Sequence, residues 1–262
     1  MGKFDGILIC SDWDGTLHTQ FGVPEKNIEA INYFEAEGGL FTVCTGRRCD
    51  HLNDLISGFR INTYTISVNG AQIIDQRSGN ILYEGFFDDE SIKLAKRIFE
   101  IAEGDFYVNV FYKRDEDVVI EKIHSFEEYM SIFESFPIYK LIYCSSKDAV
   151  LKARSSLTET GNYSFIRSFE TGIELLHKNS MKGIGALRLK NKTNSRMLVS
   201  VGNYDNDVDM LEAADISYAV LGSSPEALSA AMYITASAND GAISAVIEDL
   251  EKRILPHFNT VI

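Results

Sequence analysis

The sequence predicts an α/β protein with a Rossmann-like, parallel-sheet core that is interrupted by an inserted unit of α+β type. Short apolar segments alternate with helical patterns at both ends of the chain, which is typical of a parallel sheet covered by helices. In the middle, pairs of adjacent strands occur among helices, which favours an antiparallel sheet. We therefore expect a discontinuous core of residues 1–85 and 181–262 and an inserted unit of residues 86–180.

The first third predicts strands as short apolar runs at 7–12, 40–46 and 63–68. Pro24 opens the first helix, whose apolar residues follow helical spacing up to a stop at Gly38 and Gly39. A second helix is predicted after the second strand, through Asp50 and Leu52. The third strand runs into Asn69.

The middle third predicts helices at 90–103, 125–136 and 147–157, and strands at 81–87, 105–112, 117–123, 139–146, 162–169 and 172–178. Asp88 or Asp89 is the candidate cap of the first of these helices. Among the aromatic residues of this region, we expect Phe106, Tyr107, Phe111 and Tyr112 to pack within the sheet.

The last third repeats the alternation, with strands predicted at 196–202, 216–221 and 233–237. The closing helix carries Ile243, Val246, Ile247 and Leu250 on one face, as an amphipathic helix packed on a core should.

Composition excludes several function classes. The 262 residues include 25 Lys and Arg against 38 Asp and Glu, and no basic cluster occurs, so a nucleic-acid partner is disfavoured. No run of 18 apolar residues exists, so no membrane span is expected. The four cysteines form no C-x-x-C pair, and we expect reduced thiols in a cytoplasmic protein that is a monomer or a homodimer.

The strongest chemical signal is the pair Asp12 and Asp14, directly after the first strand. Residues two apart in an extended segment point to the same side, so both carboxylates face one place. One carboxylate can form an acyl-phosphate and the other can protonate the leaving oxygen. A carboxylate and a phosphate dianion repel each other, so a divalent cation is expected to bring them together. The alternative is a strand that ends in a capped turn.

Three further segments carry weaker signals. Thr45-Gly46-Arg47 follows the second strand and offers a hydroxyl and backbone amides to a phosphate group, although a plain strand–turn–helix reading is as good. Lys182 precedes a helix, where a single lysine is usually solvated. The segment 203–209 holds three aspartates and two asparagines, which suit a hard cation or simply begin a helix.

In this order and spacing, the four segments resemble those of the haloacid dehalogenase-like (HAD) phosphatases, Cof-type, subclass IIB. Ser67 to Ala71 is similar to the S-x-N-G-A turn of that subgroup, and an α+β cap domain between the second and third motifs is also a family feature. The resemblance covers essentially the whole chain. It implies a magnesium-dependent hydrolase acting on a small phosphorylated metabolite through an aspartyl-phosphate, with a sugar phosphate as one candidate substrate.

The resemblance also implies roles by position. Asp12 corresponds to the nucleophile and a magnesium ligand, and Asp14 to the general acid–base, whose backbone carbonyl also reaches the metal. Thr45 and Lys182 complete the catalytic set. The substrate-binding positions are Gly46, Arg47, Asn69, Gly70 and Asn206. The metal positions are Asp12, Asp14, Asn203 and Asp207.

One position departs from the family pattern, because Gly202 is followed by Asn203 where the family has an aspartate. We expect weak Mg²⁺ affinity as a result, unless Asp205 compensates. Two alternatives remain open at this point. One is a non-catalytic protein that binds a phosphometabolite through a degenerate metal site, and the other is a phosphomutase of the same fold.

Overall fold

A computed structural model describes residues 2–53, 55–157 and 161–255, and the chain divides into two compact units. The first unit comprises residues 1–82 and 182–262, and the second comprises residues 83–181. The Rossmann-like α/β class predicted from the alternating pattern is confirmed.

The first stretch of the core holds β1 (Ile7–Ser11), α1 (Glu25–Ala36), β2 (Leu40–Val43), α2 (Cys49–Asn53), β3 (Thr65–Ser67) and β4 (Gln72–Ile74), and β5 (Ile81–Glu84) crosses the boundary into the inserted unit. The third strand is shorter than the predicted 63–68. Its last predicted residue, Val68, has a φ of 51° and begins a left-handed turn with Asn69 at 58°. Hydrogen bonds from this turn to the loop after β2 favour the turn over continued strand pairing.

The inserted unit holds α3 (Glu90–Ile101), β6 (Tyr107–Arg114), β7 (Asp117–Ile123), α4 (Phe126–Phe133), β8 (Ile138–Cys144), α5 (Lys147–Ser156), β9 (Tyr163–Phe169) and β10 (Gly172–His177). The antiparallel sheet has the order β7-β6-β8-β10-β9. Of the two candidate caps of α3, Asp88 accepts a hydrogen bond from the backbone amide of Glu90 at 3.0 Å. The two ends of the unit lie side by side, since the Tyr83 hydroxyl donates to the carbonyl of Asn179 at 3.3 Å.

The second stretch of the core holds α6 (Lys182–Thr193), β11 (Met197–Gly202), α7 (Val208–Ala213), β12 (Ile216–Val220), α8 (Pro225–Ala230), β13 (Tyr233–Thr235) and α9 (Ala242–Asp249). The core sheet has the order β13-β12-β11-β1-β2 and is parallel throughout. Alternate residues of β1 and β11 pack against α1 and α9 in one apolar cluster. The predicted buried face of the closing helix is confirmed, because Ile243, Val246, Ile247 and Leu250 are all buried.

The four cysteines are buried free thiols, as expected from their apolar neighbours. None of the helices in the described part of the chain combines the length and the apolar character needed to cross a bilayer.

Candidate active site

The neighbouring strands β2, β1 and β11 bring the predicted site residues to one edge of the core sheet. Because the strands are parallel, their carboxyl ends meet at this edge. Asp12 follows β1, Thr45 follows β2 by two residues, and Asn203 follows β11. Ligands in open α/β sheets bind just outside these ends.

Lys182 joins two carboxylates in the centre of the site. Its ammonium nitrogen Nζ lies 2.6 Å from Oδ1 of Asp12 and 2.6 Å from Oδ1 of Asp207. All three side chains are buried, and Asp12 retains 6% of its exposure. A lysine buried in this way is stabilised by its charge partners and is no solvated surface residue.

Burial and charge shift the ionisation of this cluster. Loss of solvation, with the nearby Asp207 carboxylate, raises the pKa of Asp12 to about 7, although Lys182 opposes the shift. Although burial opposes it, the two carboxylates together hold the pKa of Lys182 well above its ordinary value. The site therefore contains a charged lysine beside a carboxylate that is costly to ionise.

Asp207 also organises the turn after β11. Its second oxygen, Oδ2, accepts hydrogen bonds from the backbone amides of Asn203 at 2.8 Å and Tyr204 at 3.1 Å. The carbonyl of Asn203 accepts from the amide of Ser224 at 2.9 Å. These bonds fix the backbone of the position where the family has a carboxylate.

The Asn203 side chain lies against the turn that follows Asp14. A Cβ atom on Gly15 would come within 2.5 Å of the Asn203 amide nitrogen, and the φ of Gly15 is +75°. Glycine adopts this φ without strain, and because it has no Cβ it leaves room for the Asn203 side chain. The structure thus brings Asn203 beside the Asp12–Asp14 segment.

The loop after β2 is tied to the left-handed turn after β3. The amide of Asn69 donates to the carbonyl of Thr45 at 2.8 Å, and the amide of Val68 donates to the carbonyl of Arg47 at 3.0 Å. A β-branched residue such as Val68 is strained at a φ of 51°. The two hydrogen bonds offset this strain and hold the buried residues Thr45 and Asn69 at one side of the site.

Arg47 and Asp14 form a two-point ion pair that the sequence does not reveal. Nε of Arg47 donates to Oδ2 of Asp14, and Nη2 donates to Oδ1, both at 2.8 Å. The third guanidinium nitrogen, Nη1, lies 3.3 Å from Nε2 of His51. Sequence reasoning missed His51, because Arg47 lies in the loop before α2 and the pair therefore has no regular helical spacing.

The other residues predicted to bind substrate lie near the Asp12–Lys182–Asp207 cluster in the fold but are not hydrogen-bonded to it through their side chains among the described residues. Gly70 is buried in the turn after β3, and Gly46 is half-buried in the loop after β2. Asn206 is half-buried in the short 3₁₀ turn before α7, and within the described residues no hydrogen bond joins its side chain to the cluster.

Asp209 supports the first turn of α6, which carries Lys182. Its Oδ2 accepts from the backbone amide of Gly183 at 2.6 Å. Loss of solvation raises the pKa of Asp209 to about 6. Of the two readings of the segment 203–209, this contact matches the one in which acidic residues support a helix start.

We expect Gly183→Ala to destabilise the protein by about 1–3 kcal/mol, because the added Cβ would overlap the backbone carbonyl of Asp209. Gly185→Ala, two residues further along α6, is the matched control. Its Cβ would come within 2.9 Å of a methyl group of Ile66 and within 3.4 Å of the Gly70 backbone, a milder overlap for which we expect a smaller loss. Thermal unfolding of both variants measures the difference, and equal melting temperatures would contradict the argument.

The aromatic residues predicted to pack in the inserted unit divide into two groups. Phe111 and Tyr112 are buried, as expected. Phe106 and Tyr107 are half-buried and line an open depression of about 610 Å³, where the Lys122 ammonium lies 3.9 Å from the centre of the Tyr107 ring. The expectation of packing within the sheet is thus fully met only for the first group.

Comparisons with known proteins agree with this geometry. The chain is 25% identical over 268 residues to the provisional phosphatase YxeH of Bacillus subtilis, covering 93% of this chain and 97% of the relative. It is 25% identical over 256 residues to phosphoglycolate phosphatase 2 of Saccharolobus solfataricus, covering 96% and 94%.

Among solved structures, a haloacid dehalogenase-like hydrolase from B. subtilis superposes with a TM-score of 0.78 at 21% identity, covering 94% of this chain and 99% of the other. The HAD subclass IIB sugar phosphatase BT4131 superposes with a TM-score of 0.72 at 19% identity, covering 93% and 98%. These similarities show the shared fold. The family model for haloacid dehalogenase-like hydrolases matches residues 9–247. The chain therefore belongs to the haloacid dehalogenase-like hydrolases.

Proposed function

We propose that the protein is a magnesium-dependent phosphatase that hydrolyses a small phosphorylated metabolite through an aspartyl-phosphate on Asp12. The observation that carries the proposal is the buried contact of Lys182 with both Asp12 and Asp207. Asp12 in turn lies two residues before Asp14 in the chain. A buried cation beside a nucleophilic carboxylate suits a reaction in which phosphate charge must be neutralised.

The residues have distinct tasks in this reaction. Oδ1 of Asp12 contacts Lys182, and within the described residues Oδ2 makes no hydrogen bond, so Oδ2 is available to attack phosphorus. As the bond from phosphorus to the leaving oxygen breaks, Asp14 in its protonated form gives that oxygen its proton and becomes a carboxylate. Asp14 then takes a proton from the water that releases phosphate from Asp12. The Thr45 hydroxyl and the Lys182 ammonium hold the transferring group.

The oxygen donors at this edge suit Mg²⁺, which prefers oxygen ligands and keeps several waters. The proposed ligands are the Asp12 carboxylate, the Asp14 backbone carbonyl and the Asn203 amide oxygen. The Asp207 oxygens already bind Lys182 and two backbone amides, so we propose that Asp207 holds metal-bound water. Among the described residues, no three His, Cys, Asp or Glu side chains form a metal-binding group. Bound there, Mg²⁺ would neutralise charge on the phosphoryl oxygens.

We expect Asn203→Asp to lower the half-saturating Mg²⁺ concentration by at least tenfold. Two charges at about 4 Å attract by about 4 kcal/mol at an effective dielectric near 20, before the cost of desolvation. Calorimetric titration with Mg²⁺ measures the change without turnover. Asp205→Asn is the control, since a loss of affinity in that variant would show that Asp205 supplies the missing charge. An unchanged affinity in Asn203→Asp would refute the proposed ligand.

The experiment that tests the function is phosphate release from p-nitrophenyl phosphate across a Mg²⁺ titration. Sugar phosphates and phosphoglycolate are the next substrates to test. They are chosen because BT4131 is named as a sugar phosphatase and the S. solfataricus relative is named as a phosphoglycolate phosphatase. Binding of these esters without turnover would favour the non-catalytic alternative, for which Asn203 is the one specific observation. Transfer of phosphate to an added sugar would favour a phosphomutase.

We propose a cytoplasmic location, because the four cysteines are buried free thiols, as expected in a reducing compartment.

A further inference from the structure

We infer that Arg47 is a positioning residue that sets the place and plane of the Asp14 carboxylate and thereby controls proton transfer to the leaving group. The inference rests on the proposed function of the site, in which Asp14 is the general acid–base. It assigns Arg47 a task that acts through Asp14, in place of direct binding of the substrate phosphate.

Arg47 contacts Asp14 at two points, and we call this two-point contact the clamp. Nε and Nη2 of Arg47 each lie 2.8 Å from a different oxygen of Asp14. A planar guanidinium group in two-point contact fixes both the distance and the plane of a carboxylate, which a single-point contact cannot do. Within the described residues, the Asp14 side chain has no other hydrogen bond or ion pair. Among the described residues, Arg47 is therefore the side chain that orients this carboxylate.

Arg47 is itself held from three sides. Its backbone amide donates to the Thr45 hydroxyl oxygen at 3.2 Å, and its carbonyl accepts from Val68 at 3.0 Å. Its remaining guanidinium nitrogen faces Nε2 of His51 at 3.3 Å. Since a guanidinium group only donates, Nε2 of His51 is the acceptor here. The clamp is thus anchored to the loop that carries Thr45 and to the strained turn after β3.

The pair is exposed, so we expect the stability of the fold to depend little on it. The Arg47 side chain keeps 32% of its exposure and the Asp14 side chain keeps 54%, and ion pairs of this kind add little to stability. A contribution to stability is therefore a poor explanation for this two-point contact. Because of the same exposure, we expect variants at position 47 to fold. A change in their kinetics can then be assigned to catalysis and not to unfolding.

The test compares two substrates of nearly the same shape, phenyl phosphate and p-nitrophenyl phosphate. Phenolate is the poorer leaving group, so its departure depends more on a proton from Asp14. We expect Arg47→Ala to lower kcat/KM for phenyl phosphate by about 10- to 100-fold and to lower it far less for p-nitrophenyl phosphate. Arg47→Lys keeps the charge without the two-point contact and should restore only part of the loss. Arg48→Ala, a change of the neighbouring arginine that pairs with Asp50, is the matched control and should leave the ratio unchanged.

A double-variant cycle separates the two tasks. If Arg47 acts through Asp14, Asp14→Ala and the double variant Asp14→Ala/Arg47→Ala should have the same kcat/KM for phenyl phosphate. A further loss in the double variant, or equal losses on both substrates with a raised KM, would overturn the inference and make Arg47 a phosphate ligand. No change on either substrate would also overturn it. Failure of the proposed function is seen separately, because the wild-type protein would then release no phosphate from either substrate.

Discussion

Asp12→Asn is expected to abolish phosphate release, with a loss of roughly 10⁴-fold or more in kcat, because the amide cannot act as the nucleophile. Phosphate release at saturating Mg²⁺ measures the effect. The geometry at Asp12 makes the asparagine variant a close structural match, since the amide oxygen can still accept the hydrogen bond from Lys182.

The same substitution should leave the metal-free protein at least as stable as the wild type. Asp12, Asp207 and Lys182 carry one net negative charge in a buried cluster, and the substitution makes the cluster neutral. In the folded protein, the pKa of Asp12 is raised from its usual 3.8 to about 7. Ionisation of Asp12 therefore destabilises the fold as the pH rises from about 4 to 7.

Melting temperatures of the two proteins in EDTA, measured from pH 5 to pH 8, test this second effect. The Asn variant should gain relative to the wild type as the pH rises. A stable Asn variant that still releases phosphate would rule out Asp12 as the nucleophile, and a variant that melts earlier at pH 8 would refute the charge argument.

Lys182→Met should act in the opposite sense on the same cluster. It leaves Asp12 and Asp207 buried next to each other with no cation, so we expect a loss of about 3–5 kcal/mol in the free energy of unfolding near pH 8. Protonation of Asp12 relieves the repulsion, so the loss should shrink at pH 5. Urea unfolding at the two pH values measures both quantities.

Lys190→Met is the matched control, since it removes a lysine from the same helix. Lys190 pairs with Asp215 at 2.5 Å, and the Asp215 side chain keeps 44% of its exposure. Loss of this pair should cost about 0–1 kcal/mol and show little dependence on pH. Equal losses in the two variants would mean that burial of the cluster does not govern its energy.

The parallel core could be predicted from local patterns because β1, β2, β11 and β12 are short apolar runs that are buried along almost their whole length, whereas β13 at the sheet edge is largely exposed. The end of β3 could not, because Val68 suits a strand by its side chain. Its left-handed backbone is set by hydrogen bonds to residues 45 and 47, which are some twenty positions earlier in the chain. Such tertiary bonds leave no local pattern.

The candidate site divides in the same way. Asp12, Asp14 and Lys182 follow from motif resemblance, and the sheet order explains why they can meet. The clamp of Arg47 on Asp14 depends on which strands are neighbours, and the support of Gly183 by Asp209 depends on how α6 packs on α7. Neither contact has a signal in the residues that make it.

The contact between Tyr83 and Asn179 means that the chain enters and leaves the inserted unit at neighbouring points. Its first and last residues are neighbours, so removing the whole unit leaves a gap in the chain that a short linker can bridge. The entropy of closing a loop grows only slowly with its length, so the length of the inserted segment adds little to the cost of bringing its two ends together. Segments of different length can therefore be accommodated between the same two points of the core chain.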